Sequence, residues 1–330
     1  MDVLEQTKQL FQKWHIVPEE RTNKLKSTVL GGGVSNLVVK IECPPSEEWV
    51  LKKALGKLRV NEDWFADQSR IFRETACLNA ISKYVGPEYV PRVYFEDREN
   101  FACLLECAPK NTVTWKEELL RGKFDHLVFE KVSSLLANFH RNTQNIEALE
   151  RQFGDITNFL QLRISPYVEA ISRRHTDLEP QLGEVIAGLV TQKLCLVHGD
   201  MSPKNILLLP DRRVWIIDCE VAHYGNPAFD IAFCMNHLIL KSLHLNSLTL
   251  LDRAGNFWDE YWKRSCWSRQ KAFSVRVLAA LMLARIDGKS PVEYLDESKR
   301  ILVRKLARNL IEKREDSFER LSSSVACEIH

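Results

Sequence analysis

The stretch that most constrains this chain is His198-Gly199-Asp200-Met201-Ser202-Pro203-Lys204-Asn205, followed shortly by Val214-Trp215-Ile216-Ile217-Asp218-Cys219-Glu220. The apolar run 194–197 leads into His198, so the pattern predicts a short strand that opens into a loop. Two further short strands, 206–209 and 214–217, are expected around the turn Pro210-Asp211, the second ending on Asp218. These residue types suit the transfer of a phosphoryl group. Asp200 can orient a hydroxyl nucleophile and accept its proton, while Asn205 and Asp218 offer hard oxygen ligands to magnesium on nucleotide phosphates. Glu220 adds a third carboxylate for a second metal ion or a water in its shell. His198 is expected to be structural, bonding the local backbone. An Asp followed by Ser-Pro is elsewhere an ordinary turn, but the His and Asn at fixed offsets, then a hairpin ending on Asp, displace that reading.

Composition is compatible with an enzyme of two domains. The 330 residues are 45% hydrophobic and 27% charged, with a net charge of +2, enough for a sizeable core. That balance lacks the basic footprint of a nucleic-acid binder. Nine cysteines without CxxC or metal-ligand spacing read as reduced thiols. No signal peptide is evident after Met1, and no apolar run approaches the ~20 residues of a membrane span. A cytoplasmic protein, without nucleic-acid or membrane partners, is expected.

Along the chain, residues 1–16 show helical spacing, ended by Pro18. Strand candidates follow at 28–30, 37–41 and 49–51, then a helix at 66–84 stopped by Gly86-Pro87, then strands at 92–95 and 101–107. This predicts an α+β fold: an N-terminal lobe over 1–108 with a five-stranded antiparallel sheet and one helix inserted after the third strand. Residues 109–330 read as a larger helical lobe holding the loop above, with helices at 115–120, 125–141, 166–174, 179–190, 227–240, 247–262, 269–286 and 297–321. From Ser322 onward the chain is expected to fray.

Within the first lobe, Gly31-Gly32-Gly33-Val34-Ser35-Asn36 lies between two strands. Such a glycine turn can fold closely over phosphates with its N–H groups turned inward, although many are only turns. The strand that follows carries Lys52, either placed to reach the α- and β-phosphates or a solvated strand lysine, and Glu74 on the next helix is either its natural partner or a surface helix acid. Alternation puts Lys52 on the face opposite Lys53 and Leu51. Glu62 and Asp63 are less well placed rivals for Glu74. The backbone of Glu106 to Ala108, between the lobes, could read the adenine edge or be simply a strand end. Lys204 is open to two readings, neutralising the moving phosphoryl group or simply solvated. Asp230, at the start of a helix, is expected to brace the loop.

These motifs resemble the aminoglycoside phosphotransferase and choline kinase family of small-molecule kinases, over residues from Gly31 to about Leu295. Val50-Leu51-Lys52-Lys53-Ala54-Leu55 with Arg59 and Trp64 following, and Asp218-Cys219-Glu220, look most like the methylthioribose kinases within it. The resemblance implies a protein-kinase-like two-lobed fold, ATP and Mg2+ as cofactors, and a small-molecule acceptor on the helical lobe, in a monomer or homodimer. Methylthioribose kinases hold their substrate with an adjacent arginine pair. The comparable stretch here, Leu283-Ala284-Arg285-Ile286-Asp287-Gly288-Lys289-Ser290-Pro291, has one arginine. Arg285, Asp287 and Lys289 form either a different acceptor pocket or a polar turn between helices. A protein kinase is disfavoured by the short segment from Asp218 to Asp230 and the missing Asp-Phe-Gly and Ala-Pro-Glu. A silent pseudokinase acting as an interaction module would be expected to lack one of Lys52, Asp200, Asn205 or Asp218. The basic stretch from Lys299 to Arg314 carries an apolar stripe suited to packing on the helical lobe.

Overall fold

The computed structural model describes residues 3–31, 36–57 and 67–329. Strands β1 (Lys26–Val29), β2 (Asn36–Cys43), β3 (Glu47–Ala54), β4 (Val93–Asp97) and β5 (Ala102–Glu106) form one antiparallel sheet in the order β1-β2-β3-β5-β4. The helix inserted after the third strand spans Arg70–Tyr84; its expected first residue, Ala66, lies outside the described residues.

Both faces of this sheet are covered, which decides where each β3 side chain goes. Trp49 and Leu51 pack with Val39, Ile41 and Leu104 against Phe11 and Trp14 of the N-terminal helix Val3–Trp14. Val50 and Ala54 point the other way, joining Cys103 and Leu105 under Ile71 and Leu78 of Arg70–Tyr84. Each such aliphatic side chain contributes roughly 1.5–3 kcal/mol when fully buried. Lys52 has the parity of Val50 and Ala54, so the pleat aims it at the inserted helix.

The remainder is mainly helical. Helix Ala228–His244 is buried on every side from Ala228 to Leu243, as expected of a run apolar all round. It packs on Leu248–Arg264 and Lys271–Asp287, and Leu248–Arg264 packs on His126–Asn142. Asp125, Ser247, Asp296 and Ser317 each accept a backbone N–H at a helix start, a contribution of about 1 kcal/mol apiece. Between these helices sit short strands: β6 (Val113–Thr114), β7 (Cys195–Val197), β8 (Ile206–Leu208), β9 (Val214–Ile216) and β10 (His223–Gly225). β8 pairs with β6 and β9, and β7 with β10, all antiparallel.

Three expectations are corrected. The single helix over 297–321 is two, Glu297–Glu312 and Phe318–Ala326, separated where Arg314 takes φ +48° and Ser317 caps the second. The tail from Ser322 does not fray: Leu321 and Val325 are buried and Phe318 stacks on Trp258 with ring centroids 4.6 Å apart. Pro166 does not begin a helix. The helical path starts at Thr157, and Pro166 lies inside the wide, π-type stretch Leu160–Glu169, which accommodates a residue with no N–H. Helix Glu147–Phe153 was not foreseen at all.

Candidate active site

Lys52 occupies the centre of the sheet side of the site. Its ammonium lies 2.7 Å from Glu74 Oε1 and 2.8 Å from Asp218 Oδ1. One lysine thus ties the inserted helix to the strand end of the β8–β9 hairpin. Burial would lower the Lys52 pKa, but Asp218 and Glu74 raise it well above its ordinary value. The two carboxyls respond oppositely. Burial pushes Glu74 up to about 7 even against the pull of Lys52. For Asp218 burial also acts upward, but Lys52 and Lys204 outweigh it and hold the carboxyl well below its usual range. Two acids sharing one cation in a dry site cannot both ionise with equal ease. Lys53, on the other face, is only half-buried.

The loop after β7 is held from beneath. Asp230 accepts the backbone N–H of His198 at 2.7 Å and of Gly199 at 2.9 Å, and is itself 3.1 Å from His140 Nε2, whose Nδ1 meets the Tyr261 hydroxyl at 2.8 Å. The bracing role expected of Asp230 is therefore present. His198 is structural as expected: Asp200 N–H donates to its Nδ1 at 3.1 Å, so Nε2 carries the proton and donates to the Ile217 carbonyl, also at 3.1 Å. Gly199 has φ +78°, and a Cβ there would fall 2.7 Å from the Val221 carbonyl oxygen, so both conformation and space demand glycine.

Asp200 is nearly buried and heavily partnered. Asn205 Nδ2 donates to its Oδ2 at 2.8 Å and to its carbonyl at 2.9 Å. Lys204 Nζ and Arg163 Nη2 each lie 3.1 Å from the same Oδ2. Lys204 is thus tied to Asp200 and not merely solvated. Arg163 also donates from Nε to the Gly199 carbonyl at 2.7 Å. It comes from the wide helical stretch around Pro166 and was missed from sequence, where nothing near it marks a site; π-type turns do recur at functional sites.

Glu220 closes the site between the lobes. Its Oε2 accepts from Asn36 Nδ2 at 2.9 Å and from Arg70 Nε at 3.1 Å. Arg70, fully buried, also donates to the carbonyls of Leu55 and Asp67 at 2.8 Å. Gly31 is exposed beyond β1, whereas Gly32, Gly33, Val34 and Ser35 lie outside the described residues, as do Arg59, Glu62, Asp63 and Trp64. Glu106 ends β5, its N–H bonded to the Arg92 carbonyl at 2.8 Å and its side chain accepting from Arg92 N–H at 3.1 Å. Ala108 is half-buried just beyond it.

The 283–291 segment separates. Arg285 donates to the Tyr167 hydroxyl at 3.2 Å and to Ser290. Asp287 instead pairs with Arg304 at 2.8 Å and with His175 at 3.0 Å, a bond between helices. Lys289 N–H donates to the Pro166 carbonyl at 2.9 Å.

A sheet lobe and a helical lobe thus meet where Lys52 pairs with Glu74 and Asp218, beside an aspartate, Asp200, on a loop braced by Asp230. Residues 26–257 match the model of the APH family, described as the phosphotransferase enzyme family, and the chain belongs to that family. It is 28% identical over 259 residues to methylthioribose kinase of Bacillus cereus, covering 71% of this chain and 65% of that enzyme, and equally so to that of Bacillus thuringiensis. The chain therefore spans just under two thirds of the length of these curated relatives. Among solved structures it is similar to an ethanolamine kinase of Plasmodium vivax, with TM-score 0.60 and 11% identity over 93% of this chain and 89% of that one. Amicoumacin kinase, solved with AMP-PNP and Ca2+, gives TM-score 0.60 and 14% identity over 97% of this chain and 100% of its own. At these identities the structural likeness is one of fold. No helix among the described residues is long and apolar enough to cross a membrane.

Proposed function

We propose that this protein transfers the γ-phosphoryl group of ATP, in the presence of magnesium, to a hydroxyl of a small molecule. The observation that carries the reading is the Lys52 bridge between Glu74 and Asp218, set beside a braced Asp200–Asn205 loop in a family of phosphotransferases. In this reading Lys52, oriented by Glu74, meets the α- and β-phosphates. The backbone of Glu106 to Ala108 faces the base. The donor chemistry fits a hard cation: Asn205 spends its amide N–H groups on Asp200, which leaves its carbonyl oxygen, and Asp218 supplies carboxylate oxygen. Glu220, clamped by Arg70 and Asn36, adds negative charge beside that pair. When bound, magnesium supplies positive charge on the phosphate oxygens.

Asp200 accepts the acceptor hydroxyl proton as the new O–P bond forms and the bond from the γ-phosphorus to the β–γ bridging oxygen breaks, releasing ADP. Arg163 and Lys204 hold that carboxylate in place, and Lys204 also meets the charge of the moving group. The printed names of the relatives, kinases of methylthioribose, ethanolamine and amicoumacin, support a small-molecule acceptor. Acceptor-dependent ADP release across sugars, thioribose analogues, amino alcohols and aminoglycosides tests the reading. Asp200→Ala should lower turnover by about 10²–10⁴-fold with nucleotide affinity retained; near wild-type turnover in that variant would sink the mechanism.

A further inference from the structure

Beyond Asp200, the helical side of the site gathers positive charge without matching acid. Lys241, in the buried helix Ala228–His244, is 1% exposed. Its ammonium has one long hydrogen bond, 3.4 Å to the His237 carbonyl, and lies 5.1 Å from the centre of the Tyr294 ring. Arg285 lies 5.8 Å from the Tyr167 ring, and Arg163 lies 6.0 Å from that ring and 5.7 Å from Phe233. Among the described residues no Asp or Glu forms an ion pair with Lys241, Arg285 or Lys116, the last an exposed residue of the helix Trp115–Leu120. Two buried polar atoms, Arg285 Nε and the Tyr294 hydroxyl, have no hydrogen-bond partner among the described residues. His237 registers the whole group: burial, then Lys241, Arg285, Lys204 and Lys116, hold its imidazole well below its ordinary value. Burial, with Lys116 and Arg285 adding repulsion, pushes Lys241 itself down to about 7.

A buried ammonium without a counter-charge is costly, and aromatic faces compensate it only in part. Asp200, whose charge acts on Tyr167 beside Arg163 and Arg285, is already shared by Arg163 and Lys204. A cationic amino alcohol or aminoglycoside would be repelled here. We propose that the acceptor carries an anionic group, carboxylate or phosphate, that seats between Lys241 and Arg285 with its hydroxyl turned toward Asp200. The inference rests on the phosphotransferase reading and names the substrate class for it.

The test compares matched hydroxyl compounds at fixed ionic strength with ATP and magnesium: glycerate, glycerol and 3-aminopropane-1,2-diol; gluconate, glucose and glucosamine; ribose 5-phosphate and ribose. The anionic member of a reacting set should show kcat/KM at least tenfold above its neutral partner, the cationic member the lowest value, and the acid and phosphate sets distinguish the two anions. Lys241→Met should raise KM for the anionic acceptor at least tenfold with kcat changed less than threefold, and its Tm should not fall. A second readout needs no turnover. With the nucleotide site saturated by AMP-PNP and magnesium, malonate or inorganic phosphate should raise the Tm of the wild type and not that of Lys241→Met or Arg285→Gln. Preference for neutral or cationic acceptors, or equal anion shifts in wild type and both variants, overturns the proposal. Absence of any nucleotide-dependent shift would instead remove the kinase reading, and the malonate comparison without nucleotide would still decide whether Lys241 holds an anion.

Discussion

The two sides of this site treat a buried cation in opposite ways. On the sheet side Lys52 is 6% exposed and has carboxylate oxygens at 2.7 and 2.8 Å. On the helical side Lys241, more deeply buried at 1%, has among the described residues a carbonyl at 3.4 Å and an aromatic ring, and no carboxylate ion pair. The outcome is a raised pKa for Lys52 and a lowered one for Lys241, toward about 7. Both lysines lose hydration, so the difference comes from the partners alone. A paired charge is preorganised before anything binds, whereas an unpaired one has its counter-charge still to come.

The strongest way to break this comparison is Lys52→Met. It strands Glu74 and Asp218 without their shared cation, and removing one partner of a buried pair costs about 3–5 kcal/mol. Urea unfolding at pH 8 should show that loss, and at pH 5 it should shrink, because Glu74 can then be protonated. A small loss independent of pH would mean that Lys52 is not the counter-ion of these acids.

Glu74→Gln sharpens the same side with a smaller effect. The folded Glu74 value, about 7, lies above its ordinary 4.5. Its contribution to wild-type stability is therefore full below about 4.5 and lost as pH rises through about 7. The glutamine variant lacks that loss, so its stability relative to wild type should climb between those values by about 1 kcal/mol per pH unit at the steepest point. A flat difference would show that Glu74 is ionised throughout. Smallest of all is Lys53→Ala: half-buried and on the other sheet face, it should change stability by under about 0.5 kcal/mol and leave nucleotide affinity as it was.

Much of the site around Lys52 and Asp200 was readable in the chain because its spacing is local. Asp200, Lys204 and Asn205 fall on one loop, Asp218 and Glu220 on the next turn, and strand alternation allows only one of Lys52 and Lys53 to face the cleft. Helix ends were less readable. Pro166 looked like a beginning because proline favours the first turn, yet a wide turn absorbed it. Arg314 looked like helix interior because no glycine or proline marks the break there. Arg163 and Lys241 left no local trace. One sits in an unremarked helical stretch and the other is a single cation in an apolar run, where only complete burial of the helix gives it meaning.

The order of most elements, the antiparallel lobe and the loop with its Asp and Asn were determined by the sequence itself, through periodicity and short fixed spacings. The tertiary structure alone decided that Lys52 meets Glu74, that Glu220 is clamped by Arg70 and Asn36, that Arg163 reaches Asp200, and that Lys241 and Arg285 form no ion pair with an acid among the described residues. These pairings join segments far apart in the chain, and their strength depends on how much water the packing removes. No spacing rule encodes either quantity.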